Sequence, residues 1–223
     1  MCGRFAQPEP TEKIVKAFNI NQVKMKAKPS YNIAPSQKIS VVIYDHNKEI
    51  RKLGNMQWGL IPFWADDKSI ANKMINARSE TVEKKPAFKG SFKRKRCLIV
   101  ALGFYEWQKK DDKKYPFFIY LKERKLFGFA GIYDTWKSDQ DEKINSCSIL
   151  TTTANKSIKN IHNRMPVIIE QDSEERWLDN SSYNEEQLKE LLQPYDSSKI
   201  SYHRVSKFVN SPQNNSPKCV KKV

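Results

Sequence analysis

The feature that most constrains the fold is a series of short apolar runs, separated by polar turns, in the second half of the chain. These runs occupy 97–107, 115–121, 126–133 and 147–153. The first contains Gly103, which predicts a kink or bulge between two short strands. The turn KKDDKK at 109–114 links the first run to the second as a hairpin. The pattern therefore predicts an antiparallel meander.

Short helices are predicted around this meander. In the segment 11–19, Ile14, Val15 and Phe18 fall on one helical face, with Thr11 as the N-cap. Two further helices are predicted at 173–178 and 184–192.

The length of 223 residues allows one large domain or two small ones. We interpret 1–210 as a single α+β domain in which short helices flank a mostly antiparallel, barrel-like β-sheet. The remaining segment, 211–223, is basic, and its composition predicts a disordered tail.

The charge balance points to a polyanionic partner. Forty Lys and Arg residues against 25 Asp and Glu give a net charge of +15, which favours nucleic acid as the partner. The segment 84–96 holds seven of the basic residues and no acidic one, with Phe88 and Phe92 interleaved. Such a run is usually a solvated face, but alternation of basic and aromatic residues also suits a groove that binds single strands.

The four cysteines lie at 2, 97, 147 and 219, without a CxxC pair. With only three histidines, no metal-ligand spacing is present, and neither a metal nor a cofactor is expected. No signal peptide or apolar run long enough to span a bilayer is visible. We expect a cytoplasmic location, associated with the nucleoid in a bacterium, where thiols stay reduced.

The amino terminus has its own chemistry, because Cys2 directly follows Met1. A small second residue permits removal of the initiator methionine, and the mature chain would then begin with a 1,2-aminothiol. The α-amine has a reference pKa of roughly 7.7 to 8.0 and the thiol one of about 8.5, so both nucleophiles are partly available at neutral pH. The alternative is that Cys2 belongs to a frayed terminus without a function.

Two ionisable side chains have settings that suit acid–base chemistry. Glu106 stands between Tyr105 and Trp107; it could point harmlessly to solvent, or face a cleft where desolvation would raise its pKa. His162 is followed closely by Arg164. A lone histidine is more often structural than catalytic.

Three loops supply further candidates. Asn76 and Arg78 stand just before Ser79, which is predicted to cap a helix, in a position suited to a ligand. The stretch 57–64 places two tryptophans around a glycine and a proline and predicts a rigid loop. The apolar loop 31–35 is either a lead-in to a strand or one wall of a site.

Taken together and in order, these stretches resemble the SOS-response-associated peptidase (SRAP) family. The matching motifs are 2–5 (CGRF), 31–35 (YNIAP), 58–62 (WGLIP), 76–80 (NARSE), 96–98 (RCL), 103–107 (GFYEW), 151–155 (TTTAN), 161–166 (IHNRMP) and 209–210 (VN). Each motif alone is weak. Their shared order over nearly the whole chain makes the resemblance specific.

The resemblance implies a monomeric sensor of abasic sites in single-stranded DNA, acting in the DNA damage response. Such a protein removes its own Met1 and forms a thiazolidine crosslink through Cys2, which shields the lesion. The resemblance also implies a bifurcated, barrel-like sheet. It makes Cys2 the nucleophile, surrounded by Asn76, Glu106 and His162 as catalytic groups. The residues it implies as DNA contacts are Arg4, Pro35, Trp58, Arg78, Ser79 and Arg164.

Two other classes of protein remain as alternatives. Class II glutamine amidotransferases also begin Met-Cys-Gly and use the cysteine to hydrolyse an amide, although this chain resembles them only at that point. The other alternative is a basic, non-catalytic protein that binds single-stranded DNA, in which Cys2 and Glu106 have no chemical role.

Overall fold

A closed five-stranded barrel forms the centre of the protein in the computed structural model, which describes residues 2–138, 140–181 and 183–223. The strands are β1 (Phe5–Gln7), β2 (Gln22–Val23), β3 (Ser30–Ile33), β4 (Lys38–Asp45), β5 (Ile50–Trp58), β6 (Asn76–Arg78), β7 (Arg96–Ala101), β8 (Gly103–Lys110), β9 (Lys113–Leu121), β10 (Phe127–Lys137), β11 (Lys143–Thr153), β12 (Arg164–Pro166), β13 (Ile168–Ile169) and β14 (Ile200–Arg204). The helices are α1 (Thr11–Ala17), α2 (Pro86–Arg94), α3 (Glu174–Leu178) and α4 (Glu185–Glu190), with 3-10 turns at Lys68–Lys73, Gln171–Ser173, Ser197–Lys199, Lys207–Asn210 and Pro217–Cys219.

The barrel follows the order β11, β10, β7, β4, β5, with antiparallel neighbours. It closes through parallel pairing of β5 with β11, where Gln57 faces Ser146 and Trp58 faces Cys147. The short strands add to the ends of the barrel strands: β2 pairs with β5, β6 and β12 pair with β11, and β13 pairs with β10. Closure leaves the five central strands without a free edge.

The two faces of β7 belong to two different hydrophobic cores. Cys97 and Ile99 pack in the core that also holds Trp58. Leu98 and Val100 pack in the second core, with the apolar sides of the helices. Because successive strand residues point to opposite faces, a strand covered on both sides is apolar throughout. This explains the unbroken run at the start of the predicted meander.

A second sheet, in the order β14, β9, β8, β1, β3, lies against the barrel. Its strand β1 is wholly buried: Phe5 contacts Trp58 and Phe129 of the barrel core, with ring centroids 5.2 and 5.7 Å apart. At Gly103, where the kink was predicted, the chain passes from β7 into β8 and thus from one sheet to the other. A β-carbon on Gly103 would lie 2.6 Å from the carbonyl oxygen of Ile119, so only glycine fits there.

The predicted α+β class with a mostly antiparallel, barrel-like sheet is confirmed, while several local predictions differ. The predicted single meander is wrong, because β9 pairs with β8 and β14 in the second sheet, whereas β10 pairs with β7 and β11 in the barrel. Thr11 is not an N-cap: Pro10 holds that position, and the Thr11 hydroxyl accepts a hydrogen bond from the Ala27 amide. Ser79 begins a series of turns and not a helix. Neither β5 nor α2 was predicted. Within the described residues no helix is long and apolar enough to cross a membrane.

The segment 211–223, for which the sequence predicts a disordered tail, packs against the domain. Cys219 is fully buried beside Val209 and Tyr105. The Val223 amide donates to the Arg204 carbonyl, 3.1 Å away. The difference arises because the partners of this segment come from β3, β8 and β14, far away in the sequence.

Candidate active site

Cys2 lies at the entrance to β1 and has no exposed surface. Its carbonyl oxygen accepts a hydrogen bond of 2.8 Å from the side-chain amide of Asn76. Burial, reinforced by the nearby carboxyl of Glu106, raises the pKa of the Cys2 thiol well above its usual range. The thiol is therefore neutral in this arrangement. Met1, whose removal the sequence predicts, lies outside the described residues.

Asn76 reaches Cys2 because β6 pairs in parallel with β11, with Asn76 opposite Ile149. Its side-chain oxygen is buried and has no hydrogen-bond partner among the described residues. A buried amide oxygen without a donor is costly. It is therefore ready to accept a hydrogen bond from a group that enters the site.

Glu106 points inward from β8 and is 4% exposed. Burial raises the pKa of its carboxyl from 4.5 to about 7. A carboxyl with this pKa exchanges protons readily at neutral pH. Of the two orientations that the sequence left open, the structure has the inward one.

His162 stands beside Glu106, with its Nδ1 4.0 Å from the carboxylate oxygen Oε1. Nδ1 lies 3.0 Å from the backbone amide and 3.1 Å from the carbonyl oxygen of Arg164, so either tautomer of the neutral ring has a backbone partner there. Burial lowers the pKa of His162 below its usual 6.5. His162 is therefore a neutral imidazole in this site, and it can accept or relay a proton.

Arg4 anchors the chain just after Cys2. Its Nη1 donates to the side-chain oxygen of Asn32 at 2.8 Å and to the Val209 carbonyl at 2.9 Å. Its guanidinium carbon lies 5.8 Å from the ring centre of Trp107. Nη1 of Arg4 therefore already donates to two acceptors within the protein. Contact of Arg4 with a phosphate stays a prediction.

Trp58 is the innermost of the predicted DNA contacts. Its ring has no exposed surface, and its Nε1 donates to the Ile75 carbonyl at 2.9 Å. The next residue, Gly59, has φ of +126°, and a β-carbon there would lie 2.7 Å from the Ala71 carbonyl oxygen. Pro35 is half-buried in the loop between β3 and β4. A base could touch Trp58 only if the surrounding loops moved.

Arg78, Ser79 and Arg164 lie together at the end of β6 and β12. Arg78 is exposed, whereas Ser79 is buried and its amide donates to the Thr151 carbonyl at 2.9 Å. Arg164 forms a two-pronged ion pair with Glu80 and also donates to the Thr151 carbonyl at 2.6 Å. Of the three, only Arg78 presents its charge to solvent, and their DNA contacts stay predictions.

Two exposed aromatic residues lie in the stretch predicted as a rigid loop but were not among the predicted DNA contacts. Phe63 and Trp64 are 68% and 49% exposed, on the loop that follows Trp58. The Phe63 amide donates to a carboxylate oxygen of Asp134 at 3.0 Å, which holds the loop beside α2. The signal available in the sequence was a Phe-Trp pair directly after a proline, where no strand or helix pattern buries it.

The basic segment 84–96 folds differently from a groove with interleaved aromatics. Phe92 is fully buried and Phe88 packs on the same core. Arg96 is also fully buried, and its guanidinium donates to the carbonyls of Phe92, Lys93, Trp177 and Asp179. The surface of this segment is therefore basic, but its two phenylalanine rings pack in the core and are not available to stack on bases.

Neither a disulfide nor a metal cluster is seen in the described part of the chain. All four cysteines are free thiols. No three His, Cys, Asp or Glu side chains among the described residues lie close enough to hold a metal ion. Cys2 differs from the other thiols because it stands next to the amino terminus and beside Asn76 and Glu106.

The fold and this geometry define a protein whose candidate active site holds a cysteine near the amino terminus, together with the side-chain amide of Asn76, the carboxyl of Glu106 and the neutral imidazole of His162. A family model described as SOS response associated peptidase (SRAP) matches residues 1–212. The chain belongs to the SRAP family, which confirms the resemblance.

Named relatives and a solved structure agree with this assignment. The chain is 44% identical to the abasic site processing protein YoqW of Bacillus subtilis strain 168, with 99% of each chain covered. It is 46% identical to YoaM of the same organism, also named an abasic site processing protein, covering 97% of this chain and 96% of YoaM. The vertebrate abasic site processing protein HMCES of Xenopus tropicalis is 34% identical, with 87% of this chain and 66% of HMCES covered. A crystal structure of a protein from Bacteroides thetaiotaomicron superposes with a TM-score of 0.90 at 28% identity, over 100% of both chains.

Proposed function

We propose that this protein processes abasic sites in DNA by forming a covalent crosslink between Cys2 and the opened abasic sugar. The observation that carries the proposal is the position of Cys2: it is buried, held by Asn76 and close to Glu106, whose carboxylate lies 4.0 Å from His162. The names of the relatives support abasic sites as the target.

The chemistry begins at the amine of Cys2, freed by removal of Met1. An abasic deoxyribose opens to an aldehyde, the amine adds to the aldehyde carbon, and water leaves to give an imine. The Cys2 sulfur then adds to the imine carbon, and the thiol proton passes to the nitrogen. Because both nucleophiles belong to one residue, closure of the five-membered thiazolidine is strongly favoured by proximity.

The raised pKa values support an order for the two additions. The thiol of Cys2 is neutral while the site is buried, so the amine attacks first. Glu106, with a pKa of about 7, takes the proton from the ammonium form of the amine and returns one to the departing oxygen. His162, a neutral base, assists opening of the sugar ring.

Removal of Met1 uses the same groups. The Cys2 thiol attacks the carbonyl of the preceding peptide bond, and Glu106 accepts the thiol proton and passes it to the Cys2 nitrogen as the C–N bond breaks. Water then hydrolyses the resulting thioester, which releases methionine and restores the thiol. Both activities thus depend on one thiol, which makes the protein a cysteine-type autopeptidase as well as a DNA-crosslinking protein with lyase-type chemistry.

Sequence-independent contacts provide DNA recognition in this proposal. The net charge of +15 attracts the phosphate backbone. The exposed Phe63 and Trp64 offer stacking surfaces beside the exposed Arg94 of α2. We assign single-stranded DNA as the substrate because bases must be unpaired to stack on these rings.

Intact mass spectrometry tests the proposal directly. The protein is mixed with a single-stranded oligonucleotide from which one uracil has been excised. We expect a heat-stable species whose mass equals the protein without Met1 plus the oligonucleotide less one water. Active crosslinking by a protein that retains Met1 would overturn the mechanism.

Variants separate the two nucleophiles. In Cys2→Ala the protein cannot remove Met1 itself, but a housekeeping aminopeptidase can, because the second residue is still small. The amine is then present without the thiol, so we expect loss of the stable adduct, a product trapped by borohydride, and some strand cleavage by β-elimination. Cys97→Ala, which removes a thiol equally buried in the barrel, serves as the control and should crosslink normally. A stable unreduced crosslink in Cys2→Ala would make an internal lysine the attacking group.

The two alternative classes give different outcomes. A glutamine amidotransferase would release ammonia from glutamine. A non-catalytic binder would retain the oligonucleotide without any covalent adduct.

A further inference from the structure

We infer that Asn32 and the carboxy-terminal segment 209–219, here called the strap, position Cys2 for its reaction. This inference rests on the proposed function for its kinetic readout only. Asn32 touches neither Cys2 nor a reacting atom, so it is a positioning residue.

Asn32 is a buried junction between the two ends of the chain. It lies on β3, next to β1, and is 1% exposed. Its side-chain oxygen accepts from Arg4 at 2.8 Å. Its Nδ2 carries two N–H groups and lies within hydrogen-bond distance of the carbonyl oxygens of three strap residues, Val209 at 3.1 Å, Ser211 at 2.9 Å and Asn214 at 2.8 Å, so that one N–H is shared between two of them. One side chain thus joins the amino-terminal strand to three points of the strap.

The strap is held on both sides of this junction. The side-chain oxygen of Asn215 accepts from the Tyr31 amide at 2.7 Å. The Trp107 indole donates to Asn210 at 2.9 Å. Val209 and Cys219 are fully buried. These contacts order a polar segment that has no helix or strand pattern of its own.

The junction connects to Cys2 through Arg4. Nη1 of Arg4 bonds both Asn32 and the strap carbonyl of Val209, while the Arg4 carbonyl accepts from the Tyr105 amide at 2.9 Å. Arg4 is therefore fixed at its backbone and at its side chain, two residues after Cys2. A free amino terminus normally frays. Here the strap opposes fraying at the one residue whose amine and thiol must stay in register with Asn76 and Glu106.

Most of the strap lies at or beyond the limit of the family match, which ends at residue 212. Asn214, Asn215 and Cys219 are therefore features of this chain that the family model does not cover. The strap thus restrains the amino-terminal strand through residues that are not among the proposed catalytic groups.

Asn32→Asp tests the inference with little change in shape. The carboxylate still accepts from Arg4, but it has no N–H for the three strap carbonyls. A second variant, Asn215→Ala, loosens the strap at an exposed position, and a third ends the chain after Asn210. Asn145→Asp, an exposed asparagine at the far end of β11, is the matched control.

Two measurements read the outcome. The rate of adduct formation is measured at saturating abasic oligonucleotide, and hydrogen exchange is measured on amides of β1. Each lost hydrogen bond weakens the anchor by a few-fold to tenfold, so we expect roughly tenfold slower crosslinking and faster exchange in Asn32→Asp. The oligonucleotide concentration at half-maximal rate should stay unchanged. Truncation should slow crosslinking less in Asn32→Asp than in the unmodified protein, because two of the three strap carbonyls that Asn32 binds are lost with the truncated residues.

A merely structural role for the strap would lower the melting temperature while leaving both the saturating rate and β1 exchange unchanged, and that result would overturn the inference. Unchanged behaviour of Asn32→Asp and Asn215→Ala would overturn it even if the truncated chain failed to fold. If the unmodified protein forms no adduct, the proposed function fails instead, and hydrogen exchange of β1 alone decides the role of the strap.

Discussion

Burial of Glu106 should make the stability of the protein fall as pH rises, and Glu106→Gln should remove this dependence. The pKa of this carboxyl is about 7 in the folded protein, against 4.5 for an ordinary glutamate. Below pH 4.5 both states are protonated and burial has no ionic cost. Between pH 4.5 and 7 the unfolded chain ionises while the folded one does not, so the free energy of unfolding decreases. Above pH 7 the loss is complete.

Proton linkage gives the magnitude. Each pH unit between the two pKa values costs about 1.4 kcal/mol, so the loss is about 1 kcal/mol at pH 5 and about 3 kcal/mol at pH 8. Glutamine has the same shape and does not ionise. We therefore expect the stability of Glu106→Gln relative to the unmodified protein to increase by about 2 kcal/mol between pH 5 and pH 8. Constant effects of the substitution cancel in this difference.

Urea unfolding of both proteins at several pH values measures the effect. Glu123→Gln, at an exposed glutamate, is the control and should change stability by no more than about 0.5 kcal/mol at every pH. A difference between Glu106→Gln and the unmodified protein that does not vary with pH would refute the reasoning. It would mean that the carboxyl titrates normally and that its burial is compensated in the folded state.

Three further predictions concern rate, packing and binding. The rate of adduct formation should rise with pH through about 7 as Glu106 ionises, and Glu106→Gln should lose this step in the pH profile; a step of equal size in the variant would assign it to another group. Arg96→Met should lower the free energy of unfolding by at least about 3 kcal/mol, because four carbonyls, two of them in fully buried hydrogen bonds, lose their donor; a urea midpoint close to the original would contradict this. Noncovalent affinity for single-stranded DNA, measured by fluorescence anisotropy, should fall with salt, and Arg78→Glu should lower it alike for every base sequence; strong base preference or insensitivity to salt would count against backbone recognition.

The sequence by itself determined the strand runs within 97–107, 115–121, 126–133 and 147–153, the hairpin at 109–114 and the α+β class. These follow from local pattern, because apolar runs of strand length between polar turns leave few ways to bury their surface. It also determined the chemistry available at the amino terminus, since a 1,2-aminothiol needs only Cys2 and the loss of Met1. The motifs around Asn76, Glu106 and His162 indicated the family.

Tertiary structure alone decided how these groups meet. Asn76 touches Cys2 across 74 residues of chain because β6 pairs in parallel with β11, a long-range pairing that no local pattern specifies. The inward orientation of Glu106, and with it the raised pKa, depends on which face of β8 the barrel covers.

The same reason explains where the sequence misled. Arg96 carries the same charge as its exposed neighbours, yet it is buried because carbonyls from α2 and from the end of α3 converge on its guanidinium. The segment 211–223 has the composition of a disordered tail, yet Asn32 orders it from almost the opposite end of the chain. Composition indicates whether a segment is compatible with exposure to water. Whether the segment is actually exposed depends on the hydrogen bonds and packing that distant residues provide.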